Sequence, residues 1–311
     1  MSVPPKRAIL VTGATGRQGG ATINALLAED ALKTYFILGL TRNADSNAAK
    51  GLADRGIKIV QGDLEDADGI FQAATQVLGG SQSVWGVFAV QTAFGFGASD
   101  ASERRQGMAL IDAAEKHGVD FFVYTSTDRG VDSYNNSTSI PHYKTKHAIE
   151  HRLVDGAGAA GKKMQWTILR PAGFMENFEA GFVGKIAGGA WRIGTRDRQF
   201  AMIATKDIGW FAAQALLHPE EWAGRGVSLA SESYTFDEAN AIFKSKVGYP
   251  IPEASGLLVR AVLAAVPNLG KMFRWIGTEK CGADIPALKA QHPGMMTWQE
   301  WIGLNYGREQ H

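Results

Sequence analysis

Residues 8–27 constrain the fold of this chain more than any other stretch. Four apolar residues at 8–11 are typical of a short buried strand, and three glycines follow before a helical pattern begins. Apolar residues at 23, 26 and 27 fall at i, i+3, i+4, so one face of that helix can pack against a sheet. The order strand, glycine turn, helix predicts a βα unit at the start of the chain.

The three glycines of this turn have separate predicted roles. Gly13 permits a tight turn, Gly16 lets the backbone approach a pyrophosphate, and Gly19 allows close helix–strand contact. The N–H groups of the turn and the positive end of the helix dipole would then face an anion. A glycine-rich turn without a ligand is the alternative, but the position directly after a strand favours nucleotide binding. The predicted cofactor loop comprises Gly13, Thr15, Gly16, Arg17, Gln18 and Gly19.

Composition and charge exclude several classes of protein. With 311 residues, 45% of them hydrophobic, the chain can bury a large core. The 32 basic and 31 acidic residues leave no global field for nucleic acid or a membrane surface. Cys281 is the single cysteine, which excludes an internal disulfide and a cysteine-rich metal cluster. No signal-peptide pattern or apolar run of about 18 residues occurs. We expect a soluble cytoplasmic protein with no metal, no direct nucleic-acid contact and no membrane span.

Strands that alternate with helical patterns predict a parallel sheet. After the first strand, the predicted strands are Tyr35–Leu40, Ile57–Val60, Val84–Val90, Phe121–Tyr124 and Trp166–Leu169, with Val227–Leu229 as a last one. Such βαβ units are right-handed, and ligands collect at the carboxyl ends of their strands. We predict an α/β fold: a doubly wound parallel (Rossmann) sheet with a smaller, mostly helical C-terminal substrate lobe. The two interweave, with 1–171 and 201–230 in the dinucleotide-binding domain and 172–200 and 231–311 in the lobe.

The residue that ends the second strand selects the cofactor. An acidic residue there would bind the ribose 2′-OH of NAD, whereas an arginine pairs with the 2′-phosphate of NADP. Arg42 occupies this place and favours NADP, although Asp45 follows three residues later. A solvated surface arginine is the alternative.

Polar residues also follow the next strands. Asp63 and Leu64 lie where a doubly wound sheet meets the adenine, and Asp63 is also a candidate helix cap. Gln91 follows the fourth strand, before a predicted loop at Phe94–Gly97. Thr125 and Ser126, after the fifth strand, would point toward the nicotinamide or satisfy backbone groups.

The helix predicted at 139–153 carries the candidate catalytic residues. His142 and Lys146 are four residues apart and share a face, and Tyr143 lies three before Lys146. A lysine beside the nicotinamide ribose positions the cofactor and lowers the pKa of a nearby proton donor through its charge. A basic solvent-facing surface is the alternative reading of this helix. We take Lys146, His142 and Tyr143 as the candidate catalytic set.

The segment after the sixth strand is predicted to pass the nicotinamide carboxamide. Pro171 sets the exit from the strand, Gly173 permits a close backbone approach, and Phe174 follows as a further cofactor contact. Farther on, capping boxes at Thr235–Glu238 and Thr297–Glu300 each predict a helix start. The apolar run Leu257–Val266 is interpreted as core or as the lining of a substrate lobe, rather than as a membrane-surface or partner helix.

These motifs together resemble the NmrA-like family of atypical short-chain dehydrogenases/reductases, related to isoflavone-reductase-like enzymes. The resemblance rests on residues 11–20, 41–43, 61–63, the His142 and Lys146 spacing, 170–177 and 206–209. It implies NADP(H) in the crevice of a Rossmann domain. It also implies two classes of function: reductases of small aromatic or polyketide-like substrates, and regulators that sense nicotinamide nucleotides without turnover and act through a protein partner.

The sequence departs from the Tyr-x-x-x-Lys dyad of ordinary members of that superfamily. His142 stands four residues before Lys146, and His147 stands four after Tyr143. Lysine-centred relatives work without that tyrosine, and Tyr143, Tyr134 and Ser126 offer proton donors. The sequence therefore favours an NADPH-dependent reductase of a small carbonyl, quinone or enone, with the nucleotide-sensing regulator as the alternative.

Overall fold

The computed structural model describes residues 6–91, 99–156 and 164–307. In these ranges the strands are β1 Arg7–Val11, β2 Tyr35–Thr41, β3 Lys58–Gln61, β4 Gly86–Ala89, β5 Phe121–Thr125, β6 Gln165–Pro171, β7 Gly173–Phe174, β8 Phe200–Ile203, β9 Arg225–Leu229 and β10 Glu232–Tyr234. The helices are α1 Arg17–Ala28, α2 Asn47–Ala53, α3 Ala67–Val77, α4 Asp100–Lys116, α5 Pro141–Gly156, α6 Phe182–Thr195, α7 Thr205–Leu217, α8 Pro219–Trp222, α9 Phe236–Val247, α10 Gly256–Ala265, α11 Pro267–Ile276, α12 Ile285–Gln291 and α13 Trp298–Tyr306. Short 3₁₀ helices lie at Ala31–Lys33 and Met175–Phe178.

The central sheet has seven strands in the order β3-β2-β1-β4-β5-β6-β9. The pairs from β3 to β6 are parallel, and Ile9 of β1 lies opposite Ile37 of β2 and Gly86 of β4. The order reverses direction at β1, which places the turn after β1 at the switch point of a doubly wound sheet. The predicted Rossmann fold is confirmed.

The predicted strands differ from the observed ones by at most two residues at either end. The fourth strand is shorter than predicted and ends at Ala89. The reason is local: the N–H of Val90 donates to the hydroxyl of Thr12 at 2.8 Å instead of to a neighbouring strand. The predicted loop at Phe94–Gly97 lies outside the described residues.

The described residues form two compact units. The first comprises Met1–Ser126, Thr145–Leu169 and Ile208–Val227, and the second comprises Thr127–Lys144, Arg170–Asp207 and Ser228–His311. The core of the first unit packs aliphatic residues of the strands, such as Leu10 and Val87, against α3, α4 and α5. The domain boundaries given above stay a prediction.

The second unit has an aromatic core and a small sheet of its own. Strand β8 pairs antiparallel with β10 and parallel with β7. Trp191 and Trp298 are fully buried, and the indole N–H of Trp298 donates to the carbonyl oxygen of Ala239 at 3.2 Å. Both predicted capping boxes are present, at the starts of α9 and α13.

The apolar run Leu257–Val266 forms α10, and its interpretation as core is wrong for most of its length. Val259 is its one buried residue, whereas Leu257 is 81% exposed. The lining of a substrate lobe stays a prediction for this segment. Among the described residues, no single helix is long and apolar enough to cross a membrane; Gly256–Ala265 and Asn268–Ile276 meet the length and composition requirement only as a pair, bent by 112°.

Candidate functional site

The glycine turn between β1 and α1 is a strand-to-helix connection in which the N–H of Gly16 donates to the carbonyl oxygen of Gly13 at 2.9 Å. Gly13 has φ +58°, in the left-handed region, and a Cβ there would lie 2.9 Å from Cγ1 of Val90. Gly16 is the N-cap of the 12-residue helix α1, and it has no side chain to accept the first N–H groups of that helix. Gly13, Thr15, Gly16 and Arg17 are all exposed. The arrangement suits an anion at the helix N-terminus.

Gly19 performs the packing role predicted for it. A Cβ at this position would lie 2.2 Å from the carbonyl oxygen of Gly13 and 2.6 Å from that of Thr12. Gly209 of α7 serves the same purpose on the other side of α1, because a Cβ there would lie 2.4 Å from the carbonyl carbon of Ala21. Both glycines of the motifs at 11–20 and 206–209 therefore hold α1 close to its neighbours.

Two hydroxyls form hydrogen bonds at the carboxyl ends of the central strands. Thr12 donates to the carbonyl oxygen of Val90 at 3.3 Å and accepts from its N–H, which joins the ends of β1 and β4. Thr125 donates from Oγ1 to Oε1 of Gln18 at 2.7 Å, which joins the end of β5 to the first turn of α1. The hydroxyl of Thr125 thus bonds a side chain and not the backbone groups considered above, and its role toward the nicotinamide stays a prediction.

Arg42 lies directly after β2, exposed at the carboxyl edge of the sheet. Residues other than Arg42 stabilise the turn that follows: the N–H of Asn43 donates to Oγ1 of Thr41, and Oγ of Ser46 donates to the carbonyl oxygen of Asn43. Within the described ranges, the guanidinium of Arg42 forms no hydrogen bond or ion pair, and Asp45 forms no pair with it. The cation is therefore available to a ligand.

Asp63 is not the cap of the following helix, so that reading is wrong. Asp66 is the N-cap of α3 and accepts from the N–H of Gly69 at 3.0 Å, because it stands directly before the first helical residue. Asp63 is exposed and accepts from the N–H of Glu65 at 3.0 Å, which stabilises the turn after β3. Leu64 is half-buried against the core of the first unit.

Gln91 is buried two residues after the end of β4. Both its amide nitrogen and its amide oxygen are buried without a hydrogen-bond partner among the described residues. An unsatisfied buried amide is costly, and its presence at the carboxyl edge of a parallel sheet is typical of a position that contacts a ligand.

Lys146 of α5 is held by a residue that the sequence did not single out. Its Nζ lies 2.8 Å from Oε1 of Glu103, a fully buried glutamate in the first turn of α4, and the lysine side chain is 14% exposed. The ammonium also lies 5.8 Å from the ring centroid of Tyr124. The reading of this part of α5 as a basic, solvent-facing surface is therefore wrong for Lys146. The signal in the sequence was a glutamate directly after Ser102, in the first turn of α4, which by itself predicts only a favourable interaction with the helix dipole.

His142 and Tyr143 are also on α5, within the second unit, and both are buried. Their rings meet edge to face at 4.6 Å between centroids, and Tyr143 meets Trp275 in the same way at 5.4 Å. Burial raises the pKa of Tyr143 above its ordinary value, and a hydrogen bond with the side chain of Thr127 opposes part of that rise. A tyrosine in this state is a weak acid at neutral pH.

Pro171 and Phe174 lie in the second unit, where Pro171 is buried at the end of β6 and Phe174 is half-buried in β7. The space left by Gly173 is filled from within the protein, because a Cβ there would lie 2.1 Å from Cζ of Phe200. Packing against Phe200 of β8 thus explains why a glycine stands at position 173.

The acidic residues of the two remaining family-like motifs lie inside the second unit. Glu176 accepts from the N–H and the hydroxyl of Thr205 at 2.9 and 2.8 Å. Asp207 is fully buried, accepts from the N–H of Met296 at 2.9 Å and lies 3.4 Å from Nε2 of His292. Burial raises the pKa of Asp207 to about 6, opposed by the Met296 bond. Both carboxylates therefore make contacts within this unit.

The predicted residues fall into two groups. Those of the cofactor loop, with Arg42, Asp63, Leu64, Gln91 and Lys146, lie in the first unit in the turns or helices that follow parallel strands. His142, Tyr143, Pro171 and Phe174 lie in the second unit. Their roles toward a cofactor stay predictions.

A model of the NmrA-like family matches residues 5–302. The chain belongs to the NmrA-like family. An NmrA-like family domain-containing oxidoreductase, FrzB of Cladobotryum sp, is 26% identical over 266 residues, covering 77% of this chain and 73% of that protein. One from Aspergillus hancockii is 26% identical over 260 residues, covering 78% and 73%. The expectation of an oxidoreductase is confirmed at the level of the family.

Solved structures with the same fold carry different functions. Triphenylmethane reductase of Citrobacter sp., complexed with NADP(H), has a TM-score of 0.71 at 18% identity, covering 96% of this chain and 99% of that one. An NADPH-dependent quinone oxidoreductase of Escherichia coli, complexed with NADPH, has a TM-score of 0.68 at 21% identity, covering 95% and 99%. NmrA, a negative transcriptional regulator in complex with NADP, has a TM-score of 0.67 at 15% identity, covering 96% and 94%. At these identities the likeness shows the fold of the NmrA-like chain.

Proposed function

We propose that this NmrA-like protein is an NADPH-dependent reductase of a small carbonyl, quinone or enone substrate. The observation that carries the proposal is the position of Lys146, whose ammonium is nearly buried yet held by a carboxylate near the carboxyl edge of the sheet. A lysine on a solvent-exposed basic surface needs no buried carboxylate to hold it. A charge that acts on a reacting group does need one, because catalysis depends on preorganised electrostatics.

The residues of the first unit fit a dinucleotide phosphate. The N-cap Gly16 has no side chain to accept the first N–H groups of α1, so a pyrophosphate can accept them. The guanidinium of Arg42 is open to a 2′-phosphate, and the buried amide of Gln91 lacks a partner among the described residues. These observations support NADP(H) as the cofactor in preference to NAD(H).

NADPH supplies the hydride in this chemistry, and the substrate carbonyl gains a hydride at carbon and a proton at oxygen. Lys146 would hold the nicotinamide ribose, and its positive charge would stabilise the developing negative charge on the substrate. His142 and Tyr143 stay candidates for orienting or proton transfer. The raised pKa of Tyr143 keeps its phenol protonated and makes it a weaker acid than an ordinary tyrosine.

One observation favours a second function, the non-catalytic nucleotide sensor that acts through a protein partner. The two candidate donors on α5 are buried, and Tyr143 is engaged with Thr127 and Trp275. A protein that only senses the nucleotide needs no accessible proton donor. The NADP-bound regulator with the same fold is compatible with this reading.

A turnover assay separates the two functions. The protein is incubated with NADPH and a panel of ketones, quinones and enones, and the absorbance of the reduced cofactor is followed. A reductase oxidises NADPH with at least one substrate class, and Gly16→Val abolishes that activity. Tight NADPH binding by calorimetry without turnover across the panel supports the sensor instead.

A further inference from the structure

In the first unit, Lys146 of the predicted catalytic helix contacts a residue of the neighbouring helix α4. Lys146 on α5 and Glu103 on α4 are 43 positions apart in the chain, yet Nζ and Oε1 are 2.8 Å apart. Glu103 is fully buried, and within the described ranges neither of its carboxylate oxygens has a hydrogen-bond partner, so its contact with Lys146 is an ion pair. The buried carboxylate therefore depends on Lys146 for its compensation.

The close approach of the two helices makes this contact possible. Gly107 lies one turn after Glu103, and a Cβ there would lie 2.5 Å from Cδ1 of Ile149, which is three residues after Lys146. Any side chain at Gly107 would push α5 away from α4. The hydroxyl of Thr145 donates to the carbonyl oxygen of Asp100 at 3.3 Å and adds a second connection beside the pair.

The first turn of α4 is itself held in place. Ser99 and Ser102 form a reciprocal capping box, with the N–H of Ser102 donating to Oγ of Ser99 at 3.1 Å. Glu103 follows directly and lies near the positive end of the helix dipole, which favours its negative charge. Both ends of the ion pair are thus attached to rigid helical turns.

A buried ion pair of this kind is weak evidence for stability. Desolvation of the two charges offsets much of their attraction, and apolar residues of similar volume often serve the fold as well. Such a pair fixes the position of each charge, because moving one partner away would leave the other charge buried and unpaired. For a lysine that acts on a bound group, position is the property that matters.

We propose that Glu103 is the positioning residue of Lys146, and that it holds the ammonium in the place from which it acts on the nicotinamide ribose and the substrate. The proposal rests on the proposed reductase function for its kinetic consequences. Its structural consequence, the restraint of Lys146, is independent of that function. Glu103 itself does not contact the reacting atoms and is not a catalytic residue.

The first test measures the restraint without using activity. The protein is treated with an amine-acetylating reagent, and the rate at each lysine is read by mass spectrometry, with exposed Lys144 as internal reference. In Glu103→Gln we expect Lys146 to be acetylated at least several-fold faster than in the wild type, while Lys144 is unchanged. An unchanged ratio of the two rates overturns the proposal.

The matched control breaks a similar contact between the same two helices. Glu115 in the last turn of α4 pairs with Arg152 of α5 at 2.7 Å, and Arg152 keeps Asp112 as a second partner. Glu115→Gln is expected to leave both the acetylation of Lys146 and the turnover unchanged. A faster reaction of Lys146 in this control as well would show general loosening of the two helices and would also overturn the proposal.

The second test uses turnover. In Glu103→Gln we expect kcat to fall by about 10–10²-fold, because a misplacement of about 1 Å can cost about 10² in rate. The KM for NADPH should change little, and Glu103→Asp should recover part of the loss. An unchanged kcat in an active enzyme overturns the positioning role. If the wild type shows no turnover with any substrate, the reductase function fails, and the acetylation ratio alone decides whether Glu103 restrains Lys146.

Discussion

Oγ1 of Thr125 donates a hydrogen bond to Oε1 of Gln18 at 2.7 Å. The contact joins the end of β5 to the first turn of α1, across 107 positions of the chain. Each residue by itself was a candidate to face the cofactor, and the structure shows that they contact each other. The start of α1 is therefore attached to the sheet in two ways: by the hydrogen bond of the Gln18 side chain and by the close packing of Gly19.

Arg42 is expected to set the preference between the two nicotinamide cofactors. Arg42→Ala should weaken NADPH binding by about 1.5–3 kcal/mol, because charged hydrogen bonds to the 2′-phosphate are lost, and it should change NADH binding little. Calorimetry with both cofactors measures the difference. Arg55→Ala, two residues after the end of α2, removes a similar charge that donates to Asn24 instead and should affect neither cofactor. Equal losses in Arg42→Ala would remove the residue from cofactor selection.

Gly16 is expected to be essential for nucleotide binding but not for folding. Its backbone has φ −96° and ψ −179°, which any residue adopts, and a Cβ would lie 3.2 Å from the carbonyl oxygen of Gly13. Gly16→Val should therefore fold with a nearly native far-ultraviolet spectrum while its side chain blocks the approach of a pyrophosphate. Binding that survives in calorimetry would make the loop a structural turn only.

Gly19 is expected to be important for the stability of the fold. Gly19→Ala places a methyl group against the carbonyl oxygen of Gly13, a backbone atom that cannot rotate away, so unfolding free energy should fall by about 1–3 kcal/mol or more. Gly20→Ala is the control, since its Cβ would make an ordinary 3.5 Å contact with the carbonyl oxygen of Ala14. Denaturant titration of both variants checks this, and similar stabilities would contradict the close packing of α1.

Lys146→Met should lower both activity and stability. The loss of the ammonium removes an electrostatic contribution, so kcat is expected to fall by about 10² or more. It also leaves Glu103 buried and unpaired, at a cost of about 3–5 kcal/mol in unfolding free energy. Adding Glu103→Gln should restore most of the stability but none of the activity. A fully stable Lys146→Met protein, measured by denaturant titration, would show that the ion pair does not form in solution.

Asp207 should make stability depend on pH between about 4 and 6. Burial raises the pKa of Asp207 to about 6, although the hydrogen bond from the N–H of Met296 lowers it in part. The folded state therefore holds the proton more tightly than the unfolded state. The contribution of Asp207 is complete below the unfolded pKa and is lost as pH rises through the folded value, up to about 3 kcal/mol.

The groups around Asp207 decide how this is measured. Lys206 lowers its pKa, whereas Glu176 and Glu300 raise it. Burial lowers the pKa of His292, so the histidine contributes with the opposite sign. The informative quantity is therefore the unfolding free energy of the wild type minus that of Asp207→Asn. It should decrease as pH rises from 4 to 6.5, and a constant difference would contradict the raised pKa.

The sequence alone determined the features that depend on neighbouring residues. The βα turn at 8–27, the alternation that builds the parallel sheet and the capping boxes at Thr235 and Thr297 are set by local periodicity and by side chain to backbone bonds three residues apart. Such signals are contained in short windows of sequence. The role of Gly19 in helix packing was predictable for the same reason, because the glycine spacing itself specifies a tight strand-to-helix connection.

Only the tertiary structure decided which charged residues form ion pairs and which short strands pair. Strands β7, β8 and β10 are two to four residues long, too short for any alternation to show. Glu103 has the pattern of a solvated helix residue, and its burial follows from the close packing of α4 on α5 at Gly107 and Ile149. A contact between residues 43 positions apart depends on the packing of whole helices, and no local pattern encodes that. The sequence could therefore propose Lys146, and only the fold could supply the carboxylate that holds it.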